Sequence, residues 1–166
     1  MTYRIIKPLF VFIVLSIMAT IGSQPVAADT PADMGGWNIG SEYNKYYEPS
    51  EREKFKAVVK GFREIIPLKG MSPGVAVLVQ ERGSDEIIKV HLCPKWYADK
   101  SDIGVKRGDR VKVYGSWAEI NGDDVFMGAK IKKDVSGDFY QFKVRLTSDG
   151  TPFWTMTPEE REKHSK

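Results

Sequence analysis

From Glu53 onward the chain alternates apolar and polar side chains in short runs separated by turn residues. A period of two marks half-buried strands, because successive side chains point to opposite faces. Phe55, Ala57 and Val59 interleave with Lys56 and Lys60, and Gly61 predicts a bulge before the run resumes over residues 62–66. A long, bent first strand lets one strand serve two sheets, as closing a small barrel requires. After a loop rich in proline and glycine, Val75, Val77 and Val79 form the next strand, with Ala76 and Leu78 on its other face. Both faces are apolar, so both are expected to be covered.

The Arg82-Gly83-Ser84-Asp85 turn leads to a third strand. Its alternation directs Ile88, Val90 and Leu92 to the core and Ile87, Lys89, His91 and Cys93 to the opposite face. Pro94 ends this ladder by removing a donor. An irregular connection over residues 95–105 carries Trp96 and Tyr97, and Lys106-Arg107-Gly108-Asp109 turns into Val111, Val113 and Gly115. Asn121-Gly122 is a two-residue hairpin signal. Val125, Met127, Ala129 and Ile131 follow, and Gly137 breaks the chain again. Tyr140, Phe142, Val144 and Leu146 then alternate with Gln141, Lys143 and Arg145. Ser148-Asp149-Gly150 turns towards Pro152-Phe153-Trp154. Thr157-Pro158-Glu159-Glu160 is a capping box with proline at the first helical position. Five to six short strands without βαβ alternation predict an all-β barrel or sandwich.

The ends have a different texture. Arg4 and Lys7 precede an apolar run over residues 9–21, and Pro25-Val26-Ala27-Ala28 supplies small residues for cleavage after Ala28. This is the pattern of a secretory signal peptide, and it places the mature chain in the periplasm or outside the cell. An uncleaved anchor would want about 20 apolar residues, more than this run holds, so no stable membrane span is expected after cleavage. Residues 29–52 form an N-terminal arm. In it Ser41 caps a short helix that puts Tyr43, Tyr46 and Tyr47 on one face, where they are expected to cover an open end of the barrel. Trp37 and Ile39 should dock as well. The barrel is assigned to residues 53–156 and a short charged helix to residues 157–166.

The whole chain carries a formal net charge of +3. The leader holds two basic and no acidic residues, so its removal leaves +1. A balance that close to neutral gives no footprint for nucleic acid. Lys106, Arg107, Lys130, Lys132 and Lys133 read as turn charges and solvated strand faces, and lysines of this kind discourage edge pairing.

The segments VHLCPKWYA, VKRGDRVKVYGSW, NGDDVFMGAKIKK and TSDGTPFW together resemble a group of small exported bacterial OB-fold proteins of unknown function. The resemblance covers residues 55–154. It implies an OB-like, five- to six-stranded Greek-key barrel with short N- and C-terminal helical segments. That pattern commonly has glycine where this chain has Cys93, so no cysteine chemistry carries over from the group. The group brings no defined activity, and the expected function is a non-catalytic binding or accessory module with a protein partner or small ligand.

Two sets of residues could carry chemistry. His91 and Cys93, two apart on one strand, offer imidazole and thiol to zinc, copper or haem iron. Zinc would need His164 or carboxylates as further ligands, and copper(I) could recruit Met127 or Met71. A metal or haem protein for electron transfer or cofactor delivery is therefore the alternative function. Against it, cysteine is among the most buried residue types and packs as a small hydrophobe. A hydrolase lacks an orienting third group, and neighbours on one strand face lie roughly 6–7 Å apart. Trp96, Tyr97 and Trp117 form the second set, a candidate surface for stacking a ligand, with Trp96 alternatively plugging the barrel end. No catalytic residue is expected.

Overall fold

A computed structural model describes residues 33–135 and 138–165. The expected leader with its cleavage point after Ala28, the break at Gly137 and the terminal Lys166 lie outside the described residues. The remainder is an all-β, barrel-like fold. Six strands are described: β1 (Arg52–Ile65), β2 (Gly74–Glu81), β3 (Ile87–Pro94), β4 (Arg110–Ile120), β5 (Asp123–Val135) and β6 (Asp138–Lys143). Two short helices flank them, α1 (Glu42–Lys45) and α2 (Pro158–Ser165). The strand order is β3-β2-β1-β4-β5-β6, with antiparallel neighbours, and a parallel pairing of β3 with β5 closes the ring.

The long first strand behaves as its sequence suggests. Its N-terminal half pairs with β4 and its C-terminal half with β2, and the register slips between Val59 and Gly61. The slip bends the strand so that it serves both sides of the barrel. At the β4–β5 turn, Asn121 and Gly122 have φ of 56° and 82°, the left-handed pair that a two-residue hairpin matched to strand twist requires. The capping box also forms: Thr157 N–H donates to Glu160 Oε2 at 2.8 Å, and Glu160 N–H donates to Thr157 Oγ1 at 3.3 Å.

The core is filled from every strand, with Phe55, Val59, Val77, Val90, Leu92, Val113, Phe126 and Ile131 among its buried residues. The N-terminal arm completes it. Trp37 and Tyr43 are buried as fully as any strand residue, and Tyr47 nearly so, whereas Ile39 stays exposed. Trp37 lies where a Cβ on Gly74 would stand, and Tyr47 occupies the same place at Gly150. Those two glycines make room for the arm.

Two strands depart from the predicted alternation. In β3 the register passes from His91 opposite Ala76 to Cys93 opposite Val75, which leaves Leu92 as an extra residue. The bulge breaks the period of two after His91, which keeps its predicted face and is buried there by Tyr43 of the arm, so His91, Leu92 and Cys93 are all buried. After β6, the N–H groups of Val144 and Arg145 both donate to the Ala129 carbonyl, at 2.9 and 3.1 Å. Arg145, expected beside Gln141 and Lys143 on the polar face, is turned inwards instead and is 2% exposed.

Candidate functional site

His91 and Cys93 belong to a sealed polar–aromatic cluster beneath the arm. α1 begins at Ser41, whose Oγ accepts from the Asn44 N–H at 3.3 Å. That helical turn drives Tyr43 inwards, and its hydroxyl meets His91 Nδ1 at 3.3 Å. Trp37 packs edge-on against Tyr43 and Trp154, with ring centroids 4.9 and 5.8 Å away. Trp154 Nε1 donates to the Trp37 carbonyl at 2.8 Å, and Trp37 Nε1 donates to the Ser72 carbonyl at 2.9 Å. Tyr97 joins the stack beside Trp154, at 5.8 Å.

Arg145 is the centre of this cluster. Its Nη1 donates to Asn44 Oδ1 at 2.6 Å and to the Gly150 carbonyl at 3.3 Å. Its Nε and Nη2 are buried without a hydrogen-bond partner. The guanidinium instead faces the rings of Trp154 and Tyr43, 4.7 and 5.6 Å from their centroids. Such contacts contribute about 2 kcal/mol when desolvated, which offsets part of the cost of a buried charge with no carboxylate beside it.

The electrostatics of the cluster follow from burial and that charge. Burial, with the positive charges of Lys89 and Arg145, pushes the His91 imidazole down to about 4. Burial pushes the Cys93 thiol up to about 12, although Arg145 pulls the other way. The Tyr43 phenol is likewise raised to about 12 by burial against the pull of Arg145. The imidazole is neutral and the thiol protonated at neutral pH. Neither a thiolate nucleophile nor an imidazolium acid is set up here. The Cys93 thiol lies 3.7 Å from the Ala98 carbonyl, to which it donates.

As metal donors the pair is poorly placed. The β3–β5 pairing sets Met127 in register with His91, which brings one expected copper ligand close in the sheet. However, His91 Nδ1 already faces the Tyr43 hydroxyl, and the Arg145 guanidinium opposes a second cation. Among the described residues there is no group of three or more His, Cys, Asp and Glu side chains able to hold a metal.

The aromatic triplet is divided. Trp117 packs on Phe126 at 5.2 Å, and its Nε1 donates to Glu53 Oε2 at 2.6 Å. Phe126 in turn meets Phe55 at 5.0 Å, so Trp117 belongs to the β1–β4–β5 wall and not to the Tyr97 stack. Trp96 does not plug the barrel: it is 52% exposed, and Trp37 with Trp154 closes that end instead.

The exposed face of β1, β4 and β5 carries what the strand pattern alone did not single out. The registers place Lys56 opposite Lys112 and Lys112 opposite Lys132. One row on, Lys54 lies opposite Tyr114 and Tyr114 opposite Lys130. The ammonium groups of Lys130, Lys112 and Lys132 gather 4.4, 5.6 and 6.0 Å from the Tyr114 ring centroid. A groove of about 440 Å³ opens on this face, walled by Lys56, Arg82, Arg110, Lys112 and Lys132 over a floor of Val58 and the backbone at Ala57 and Val111, whose side chains turn into the core. The described ion pairs lie elsewhere, at Lys89–Asp123, Lys95–Glu64 and Lys133–Asp109. The signal was present in the sequence as lysines two apart on β1 and β5 and as Lys112 two residues from Arg110 on β4. Only the pairing shows that they align.

No helix among the described residues is long and apolar enough to cross a membrane. In comparisons with known proteins, the sequence model of the MamS/MamX magnetosome protein family matches residues 51–136, a little over half of the chain. That match covers β1 to β5 and hence the whole basic face. No curated protein and no solved structure matches.

Proposed function

As this chain belongs to the MamS/MamX magnetosome protein family, we propose that it is a non-catalytic binding or accessory module on an OB-like barrel, exported to the periplasm, that engages an anionic partner through the outer face of β1, β4 and β5. One observation carries the reading: Lys56, Lys112 and Lys132 stand directly opposite one another across three strands. Like charges in that position destabilise a sheet. A partner that supplies negative charge accounts for a row that otherwise only costs stability. The sealed His91–Cys93 cluster serves as the stopper that holds the arm on the barrel, and the chemistry of recognition lies on the opposite kind of surface, exposed and charged.

The test is retention on a sulfonate cation-exchange matrix. Replacing Lys56, Lys112 and Lys132 by glutamine should lower the eluting salt concentration more than replacing Lys45, Lys69 and Lys163, none of which is on β1, β4 or β5. Equal shifts from the two triple variants would mean that the face is ordinary surface.

A further inference from the structure

We infer that the groove on this face is an oxyanion site for a condensed phosphate, a ligand carrying two or more phosphate groups joined together. The inference rests on the anionic-partner reading and specifies the ligand of that same surface. Three features of the groove support it. Its volume of about 440 Å³ falls in the range of small-molecule sites, roughly 300–1,000 Å³. Its wall concentrates five cationic side chains within a few strand spacings of about 4.8 Å. A single monoanion would leave most of that charge uncompensated.

The wall also mixes the two kinds of phosphate ligand. Arg82 and Arg110 present planar forks suited to bidentate contact with phosphate oxygens, and the lysines supply mobile point charges. Ala57 and Val111 turn their side chains into the core, so between the flanking stems a ligand meets Val58 and the strand backbone. Of the groove lysines, Lys112 lies 5.6 Å from the Tyr114 ring and Lys132 lies 4.7 Å from Phe139 and 6.0 Å from Tyr114, ring faces that attract cations. Those rings hold the two lysines in place in advance, so less of the cost of ordering them falls on ligand binding. Mutual repulsion is visible in Lys130, whose pKa is lowered by partial burial and by the charges of Lys132 and Lys143. A bound polyanion relieves that repulsion, whereas a neutral sugar or peptide does not.

Calorimetric titration of the full chain with tripolyphosphate, orthophosphate and phosphatidylserine-containing vesicles tests the assignment. Tripolyphosphate should bind at least tenfold more tightly than orthophosphate, with an affinity that falls steeply as salt is added. Lys112→Gln with Lys132→Gln should weaken it by about tenfold, and Arg110→Lys by a smaller factor through loss of the fork. Lys45→Gln with Lys69→Gln should leave it unchanged. Equal affinity for the two phosphates, or insensitivity to the Lys112 and Lys132 changes, would overturn the inference. Binding to vesicles without binding to free tripolyphosphate would also overturn it, since the surface would then read a membrane. In either case site-specific retention on sulfonate would survive, and its loss would remove the broader reading too.

Discussion

His91 and Arg145 set the behaviour of the buried cluster. The imidazole titrates near 6.5 in an unfolded chain and is held down to about 4 in the fold. Between those values the unfolded chain binds a proton that the native state refuses. Stability therefore rises as pH climbs from about 4 to 6.5, by up to about 3 kcal/mol. Denaturant titrations across this interval should show a shallower slope for His91→Gln than for the unmodified chain. At the alkaline end the thiol and the phenol act in the other direction. Cys93 is held up to about 12 from 9, and Tyr43 to about 12 from 10. The unfolded state loses these protons first, so stability falls from about pH 9 upward, and Cys93→Ala should lessen that fall. The same burial predicts that a thiol reagent labels Cys93 orders of magnitude faster after denaturation than before. Arg145→Ala should cost about 3 kcal/mol, because it empties a full side-chain volume and frees Asn44. Arg145→Met should cost clearly less, since a buried charge replaced by an apolar chain of similar size is often close to neutral. Equal losses in the two variants would show that the charge itself matters more than the volume.

The arm and the strands meet through close approaches that leave no spare room. A Cβ on Gly74 would collide with the Trp37 ring, and one on Gly150 with Tyr47. Gly150 also has φ of +77°, a conformation that L side chains rarely adopt. Gly74→Ala should cost roughly 1–3 kcal/mol by overpacking and loosen the arm before the barrel. Hydrogen exchange would register this as faster exchange in α1, with β1 and β4 little changed. Uniform acceleration across all strands would instead mean that the arm and barrel open as one unit. The strands, the Asn121-Gly122 turn and the Thr157 capping box were legible in the sequence because each depends on local geometry. The bulge at Leu92 and the shared acceptor at Ala129 were not. Each is set by a partner strand whose register no local pattern encodes, and each moves a residue from the face its neighbours imply. Arg145 was misplaced for that reason, whereas His91 keeps its predicted face and is buried by the arm, whose docking no strand pattern locates.

For the whole molecule, a nearly neutral sum conceals a segregated surface. Glu119, Asp123 and Asp124 sit at the tip of the β4–β5 hairpin, and the lysines occupy the outer face farther along the same strands. Repulsion across that face is screened by salt, with a Debye length of about 10 Å at 0.1 M. The melting temperature should therefore rise between low and moderate salt, and the rise should shrink when Lys56, Lys112 and Lys132 are all glutamine. A wild-type melting temperature indifferent to salt would show that the row carries little strain.

The sequence by itself determined the class of the fold, because an alternation of period two punctuated by turn residues admits an all-β barrel or sandwich, and the parallel β3–β5 pairing decided for closure. It also determined which residues had the means for chemistry: one thiol, few imidazoles, many lysines. Tertiary structure decided where those residues went. Strand register converted scattered lysines into an aligned row, and the N-terminal arm covered the face that carries His91, with Cys93 buried beyond the bulge. Register and bulges arise from pairing between distant segments, so a reading that proceeds along the chain sees the residues of the site without seeing which of them meet.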